Sequence, residues 1–125
     1  MIFVDTSALV DALTGPRRSA PELRQWIERY EQIAISSLVL CEWLRGPRTA
    51  IELADQEALV PSALALPFTP EEAVLAATLY RKVRRPRGRE LDLAIAASAI
   101  GHNARLWTLN PHDFADIPGL MLARA

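Results

Sequence analysis

Four acidic residues occupy places where an isolated charge would be costly: Asp5, Glu42, Asp92 and Asp113. Asp5 directly follows a short apolar run, and Asp113 comes three residues after Asn110, which follows another. Glu42 lies inside the apolar segment 38–44, and Asp92 begins an otherwise apolar segment. Carboxylates that are brought together raise one another's pKa unless a cation lies between them. The pattern therefore favours a site that binds divalent cations.

The types of the candidate ligands restrict the metal. Cys41 is the single cysteine, and His102 and His112 lack the spacing of a paired metal site. Hard oxygen ligands without thiolate or paired imidazole select Mg²⁺ or Mn²⁺ over Zn²⁺. Such a site can activate water and neutralise the charge that develops during phosphodiester cleavage. The predicted chemistry is metal-assisted hydrolysis.

Each acidic residue also has a structural interpretation when it is taken alone. Asp5 and Asp92 could stabilise helix starts, and Asn110 with Asp113 could form a capping motif. Glu42 has no capping position, but it could form an ion pair with Arg45 on the next turn. One shared site explains all of these positions together, whereas the structural interpretation needs a separate reason for each.

A basic stretch stands out in a chain whose formal net charge is -1. This stretch follows the helix that is predicted to end near residue 83. The candidate substrate-binding residues within it are Arg84, Arg85, Arg87 and Arg89. A local concentration of cations on a nearly neutral protein suits a polyanionic substrate that binds transiently. The alternative is a solvated helix end, where cations also favour the helix dipole.

Length and composition predict a single globular domain over residues 1–125. The chain is 50% hydrophobic, and 125 residues is a usual size for one domain. A lone cysteine excludes an internal disulfide and favours a reducing, cytoplasmic location. The N-terminal segment lacks a basic region and is interrupted by Asp5 and Asp11, so we expect no secretory signal. We also expect no membrane-spanning segment, because no apolar run is long enough.

Apolar segments alternate with helical patterns along the chain. The predicted strands cover residues 2–4, 33–35, 105–109 and 120–122, with a fifth over 64–68. The predicted helices cover about 8–13, 20–30, 38–45, 49–59, 70–83 and 90–100. Capping boxes are predicted at Ser19 and Thr69, and Ile27 and Tyr30 are expected on the buried face of the second helix. This order predicts a three-layer α/β fold with a mainly parallel central sheet of four to five strands. In such a sheet, ligands bind at the carboxyl ends of the strands, where Asp5 and Asn110 are expected.

The ordered set of motifs resembles VapC-type toxins of the PIN-domain superfamily over nearly the whole chain. The matching segments are MIFVDTSALVDAL, CEWLRG, LDLAIAASAIGHNARLWTLNPHDF and DIPGLML. The resemblance implies that the metal site and catalytic residues are Asp5, Glu42, Asp92 and Asp113. It also implies supporting roles for Thr6 and Asn110. Glu90 and Asp116 lie beside motif positions, and either could contribute to the site.

The resemblance further implies a single PIN-like ribonuclease domain with the activity of a Mg²⁺- or Mn²⁺-dependent endoribonuclease. Its substrate would be RNA such as tRNA or ribosomal RNA, and its partner a co-expressed, VapB-like antitoxin. Such toxins are commonly homodimers. One alternative is a catalytically silent PIN-like module that acts through a partner protein. A second is a haloacid-dehalogenase-like phosphohydrolase, but that class has an aspartate two residues after the first one, where this chain has Ser7.

Overall fold

The computed structural model describes residues 1–124, which contain four short strands and six α-helices. The strands are β1 (Ile2–Val4), β2 (Ile33–Ala34), β3 (Arg105–Trp107) and β4 (Met121–Leu122). The helices are α1 (Thr6–Leu13), α2 (Ala20–Glu28), α3 (Ser37–Arg45), α4 (Ala50–Leu59), α5 (Pro70–Lys82) and α6 (Glu90–Gly101). Two 3₁₀ turns cover Ser62–Leu64 and Pro111–Asp113.

The four strands form one parallel sheet in the order β2-β1-β3-β4. In the register of β1 and β3, Val4 lies opposite Trp107. Since every pair of neighbouring strands is parallel, their carboxyl ends meet at one edge of the sheet. The residues that follow β1 and β3 are therefore neighbours, although about a hundred positions separate them in the chain. The predicted α/β class with a mainly parallel sheet of four to five strands is confirmed.

The core surrounds the central strand. All three residues of β1 are buried, and so are the three tryptophans, Trp26, Trp43 and Trp107. Helix α6 is buried along most of its length and packs against both α5 and β3. This packing fixes the amino end of α6, where Asp92 lies, relative to the sheet.

Helix α3 begins and ends where its sequence predicts. Ser36 precedes it in an extended conformation, and its hydroxyl accepts a 3.2 Å hydrogen bond from the backbone N–H of Val39. Gly46 ends the helix, followed by Pro47, which favours termination. These signals fix the helical phase that buries Val39 and Trp43 and leaves Glu42 at the edge of the core.

The predicted capping box at Ser19 is wrong, although α2 itself is present. Ser19 has ψ of 0° instead of the extended value of an N-cap, and its buried hydroxyl has no hydrogen-bond partner within the described chain. Its backbone N–H instead donates a 2.9 Å hydrogen bond to Asp11 Oδ2. A carboxylate from α1 therefore fixes this turn, and the cap geometry is lost. At Thr69, the hydroxyl does accept the predicted bond from the backbone N–H of Glu72.

Two further local predictions are wrong. Ile27 is 46% exposed although it lies within α2. Tyr30 is 96% exposed, because α2 ends at Glu28 and the backbone reverses at Tyr30 with φ of 60°. Residues 64–68 do not form a strand. Leu66 makes a single parallel bridge with Ser36, and Pro67, which has no N–H, cannot extend the ladder.

No helix among residues 1–124 is both long enough and apolar enough to cross a membrane.

Candidate metal centre

Asp5 lies at the carboxyl end of β1 and is only 5% exposed. Its Oδ2 atom accepts hydrogen bonds from Thr108 Oγ1 over 2.7 Å and from Ser7 Oγ over 3.0 Å. Although Asp5 precedes α1, its side chain makes no capping hydrogen bond to that helix. The capping interpretation of this residue is therefore excluded. Both hydrogen bonds fall on Oδ2, which leaves Oδ1 for a ligand.

The two hydroxyls that hold Asp5 are themselves held by the backbone. Ser7 Oγ accepts a 3.1 Å hydrogen bond from the N–H of Leu109, and Thr108 Oγ1 accepts one of 3.1 Å from the N–H of Asn110. Each hydroxyl proton is thereby directed toward the carboxylate. Sequence reasoning assigned no role to Ser7 or Thr108. Their positions could have indicated such a role: Thr108 directly follows a strand, and Ser7 lies in the first turn of the helix that follows β1.

Glu42 projects from the middle of α3 and is partly buried. Its Oε1 atom accepts a 2.6 Å hydrogen bond from Thr6 Oγ1, which gives Thr6 a supporting contact at the site. Its Oε2 atom lies 3.3 Å from Arg45 Nη2. The alternative ion pair with Arg45 is thus present, but Arg45 is largely exposed and leaves the second carboxylate oxygen to Thr6.

Asp92, in the first turn of α6, has a pKa raised to about 6. Burial is the largest cause, followed by the negative charges of Asp5, Asp113 and Glu42. The positive charge of Arg89 opposes them and lowers the pKa. Because charge effects decay with distance, the four predicted carboxylates are near enough to act on one another. The fold therefore brings these four carboxylates within range of one another's charge.

Asp113 ends the second 3₁₀ turn and is exposed. Its backbone carbonyl accepts a 2.9 Å hydrogen bond from Arg89 Nη2. The same guanidinium binds Asp116 through both terminal nitrogens, at 2.6 Å and 3.0 Å. These hydrogen bonds lower the pKa of Asp116. Arg89 and Asp116 therefore form a bidentate ion pair with each other.

An open cleft of about 520 Å³ is lined by Asp113, one of the four carboxylates, and by other acidic and basic residues. The lining residues are Arg84, Arg85, Arg89, His112, Asp113 and Asp116. Three of the four arginines predicted to bind substrate thus line this cleft. Arg87 is exposed and lies outside that lining.

Other residues near the motifs have different surroundings. The backbone N–H of Asn110 binds Thr108, but the Asn110 side chain does not cap the 3₁₀ turn that follows it. Glu90 lies in a separate groove with Tyr80 and Leu93, between α5 and α6. Asp11 binds the backbone at Ser19. Of the two acidic residues beside motif positions, Asp116 lines the cleft with Asp113 and Glu90 does not.

The donor set fits a hard divalent cation. Within residues 1–124, no three Asp, Glu, His or Cys side chains are close enough together to enclose one ion. Carboxylates without a cation repel one another, and after burial this repulsion is the next cause of the raised pKa of Asp92, so open spacing is expected. Mg²⁺ retains several waters and needs only one or two direct carboxylate ligands. The oxygen-only site is compatible with that mode of binding.

Comparison with known proteins identifies the class of protein that this fold and site define. Residues 2–120 match the PIN domain, and the chain belongs to the PIN-domain family. Within that family it is of the VapC type. It is 37% identical over 122 residues to Ribonuclease VapC19 of Mycobacterium tuberculosis, covering 96% of this chain and 97% of that protein.

Solved structures support the same fold. The chain superimposes with a TM-score of 0.76 on VapBC2 from Rickettsia felis bound to a DNA fragment from its promoter, at 24% identity and with 98% of each chain covered. A toxin-antitoxin complex from Klebsiella pneumoniae gives a TM-score of 0.73 at 27% identity, covering 97% of this chain and 96% of that one. The resemblance stated from the sequence motifs is confirmed.

Proposed function

We propose that this chain is a metal-dependent endoribonuclease and the toxin component of a type II toxin-antitoxin pair. The observation that carries the proposal is that the charges of Asp5, Asp113 and Glu42 act on Asp92, next to a cleft that Asp113 lines together with arginines. The similarity to a protein named a ribonuclease supports the same activity. In this proposal, residues 1–125 form one ribonuclease domain.

The four carboxylates Asp5, Glu42, Asp92 and Asp113 are the residues that would hold Mg²⁺ or Mn²⁺. A bound divalent cation would lower the pKa of water and neutralise charge on the phosphate during hydrolysis. The chain's own contribution is to orient these ligands. Thr108 and Ser7 fix one oxygen of Asp5, and Thr6 fixes one oxygen of Glu42. Such supporting hydrogen bonds typically change metal affinity or activity by about 10–100-fold.

The substrate in this proposal is RNA, with tRNA or ribosomal RNA as the expected targets. Arg84 and Arg85 are exposed, line the cleft with Asp113, and form no salt bridge with any carboxylate of residues 1–124. Their charges are therefore available for phosphates. His112 lies in the same wall and could contact the backbone of a single strand. Arg87, outside the cleft, would contribute less.

The proposed partner is a VapB-like antitoxin. The structural neighbours from Rickettsia felis and Klebsiella pneumoniae are toxin-antitoxin complexes, which supports a partner of the same kind. We propose a homodimer because the chain resembles VapC-type toxins. We propose a cytoplasmic location because Cys41 is the single cysteine.

The test is cleavage of labelled RNA by the purified chain freed of any antitoxin. We expect discrete products with Mg²⁺ or Mn²⁺, and no products with EDTA or with Asp5→Asn. Asp55→Asn is the matched control, because Asp55 pairs with Arg17 on another surface and should leave cleavage unchanged. A folded wild-type protein that binds metal but cuts no RNA would contradict the proposal and favour the silent, partner-binding module.

A further inference from the structure

Arg89 connects the two chain segments that carry Asp92 and Asp113. It precedes α6 by one position, three residues before Asp92. Its Nη1 and Nη2 atoms contact the two carboxylate oxygens of Asp116 at 3.0 Å and 2.6 Å, and Nη2 also donates to the carbonyl of Asp113 at 2.9 Å. A planar guanidinium bound at several acceptors fixes both distance and orientation.

The contacts of Arg89 differ from those of its basic neighbours. The Arg89 side chain is 20% exposed, whereas Arg84 and Arg85 are exposed to solvent. A substrate phosphate could bind Arg89 only in competition with a bidentate carboxylate and a carbonyl that are already in place. Arg84 and Arg85 would meet no such competition from the described residues.

We propose that Arg89 and Asp116 form a clamp that positions Asp113 beside Asp92, and that Arg89 is a positioning residue and not an RNA contact. The inference rests on the proposed function only in treating Asp92 and Asp113 as metal ligands. It assigns a role to Asp116 as the second half of the clamp. It also separates Arg89 from the remaining arginines of the basic stretch.

The physical need for the clamp arises from repulsion between the carboxylates. Asp113 lies on an exposed 3₁₀ turn. The like charges of Asp113 and Asp92, held at one site, repel each other. Without a tether, the turn could move outward and relieve this repulsion. Arg89 binds the turn at two places, at the carbonyl of Asp113 and at the carboxylate of Asp116. The pair is formally neutral, so it holds the turn without adding net charge.

The decisive test measures Mn²⁺ binding in the absence of RNA. We expect Arg89→Ala and Asp116→Asn each to weaken Mn²⁺ affinity by about 10-fold or more, in the range for residues that orient metal ligands. Arg17→Ala is the matched control, because it breaks an arginine-aspartate pair of 2.9 Å elsewhere on the surface, and its affinity should equal that of wild type. The exchanged pair Arg89→Asp with Asp116→Arg should recover part of the affinity.

Deuterium uptake over residues 110–117 provides a readout that needs neither metal nor activity. The clamp predicts faster uptake in Arg89→Ala than in wild type, with no change in Arg17→Ala. Equal uptake in Arg89→Ala and wild type would overturn the clamp. If Arg89→Ala fails to fold, Arg89→Lys, which keeps the charge but loses the bidentate geometry, should show the same faster uptake in milder form.

Cleavage kinetics, titrated with metal and then measured at saturating metal, distinguish the clamp from RNA binding by Arg89. The clamp predicts that Arg89→Ala raises the metal concentration needed for activity and leaves KM for RNA unchanged. An increase in KM for RNA with unchanged Mn²⁺ affinity would instead identify Arg89 as an RNA contact and overturn the proposal. If wild type cuts no RNA, the ribonuclease assignment fails, while Mn²⁺ binding and deuterium uptake still decide the clamp.

Discussion

Thr108 Oγ1 donates a 2.7 Å hydrogen bond to Asp5 Oδ2 and so joins the residues that follow β3 and β1, 103 positions apart in the chain. The two strands are hydrogen-bonded neighbours in the sheet, with Val4 opposite Trp107. The next residue on each strand is therefore delivered to the same point. Asp5 is oriented by this pairing and by the hydrogen bond from Ser7. Its side chain makes no capping hydrogen bond to α1.

We predict that Thr108→Val reduces metal affinity and cleavage by about 10–100-fold, because it removes the donor that holds Asp5 Oδ2 while keeping a similar volume. Thr108→Ser, which retains the hydroxyl, is the control and should stay near wild type. Calorimetric Mn²⁺ binding measures the first effect, and a cleavage assay at saturating metal measures the second. Wild-type affinity in the valine variant would show that Ser7 alone suffices.

The Thr6 hydroxyl provides a second, smaller test of ligand positioning. Thr6→Val should weaken metal-dependent cleavage by less than Thr108→Val does, because Glu42 keeps its contact with Arg45 when the 2.6 Å bond is lost. Thr14→Val is a suitable control, since its hydroxyl bonds only to the carbonyl of Val10 on the same helix. Titrating the cleavage rate against Mg²⁺ for the three variants would rank them, and a Thr6 effect larger than that of Thr108 would refute this order.

The raised pKa of Asp92 predicts a specific pH dependence of stability in the metal-free protein. Its pKa is about 6 in the folded protein and 3.8 in the reference state, so between these values the folded chain holds a proton that the unfolded chain has lost. Stability contributed by this group is full below pH 3.8 and is lost as the pH rises through about 6. Asp92→Asn should remove this loss.

Denaturant unfolding of wild type and Asp92→Asn in EDTA would measure this effect. The variant should match wild type below pH 3.8 and exceed it above pH 6. Adding Mg²⁺ at high pH should then stabilise wild type more than the variant, because the cation offsets the unfavourable negative charge of Asp92. A variant that is less stable than wild type at high pH without metal would contradict the raised pKa of Asp92.

The basic wall of the cleft predicts a division among the arginines. The double variant Arg84→Ala with Arg85→Ala should raise KM for RNA by about 10-fold and reduce the slope of log affinity against log salt by about 1.4, since each phosphate contact on a single strand contributes about 0.7. Arg87→Ala, exposed but outside the cleft, is the matched control from the same stretch. Binding is best measured with Asp5→Asn, so that RNA is not cut. Equal losses in Arg87→Ala and the double variant would indicate a general charge effect.

Much of the fold could be predicted because its signals are local. The apolar run before Asp5, the cap at Thr69 and the nearly all-apolar α6 each depend on residues within a few positions of one another. The wrong predictions, a capping box at Ser19 and a strand over residues 64–68, arise from contacts between distant segments. Asp11 from another helix captures the Ser19 N–H, and Leu66 pairs with Ser36 from a distant segment.

The sequence by itself determined which residue types could form the site: oxygen donors after β1, within α3, at the start of α6 and after β3, in an order typical of one family. The tertiary structure decided which neighbours orient them. Thr108 reaches Asp5 through the register of β1 and β3, and Arg89 binds Asp116 through a contact spanning 27 positions. Sequence spacing fixes neighbours along one strand or helix, whereas contacts between elements depend on how the sheet and helices pack.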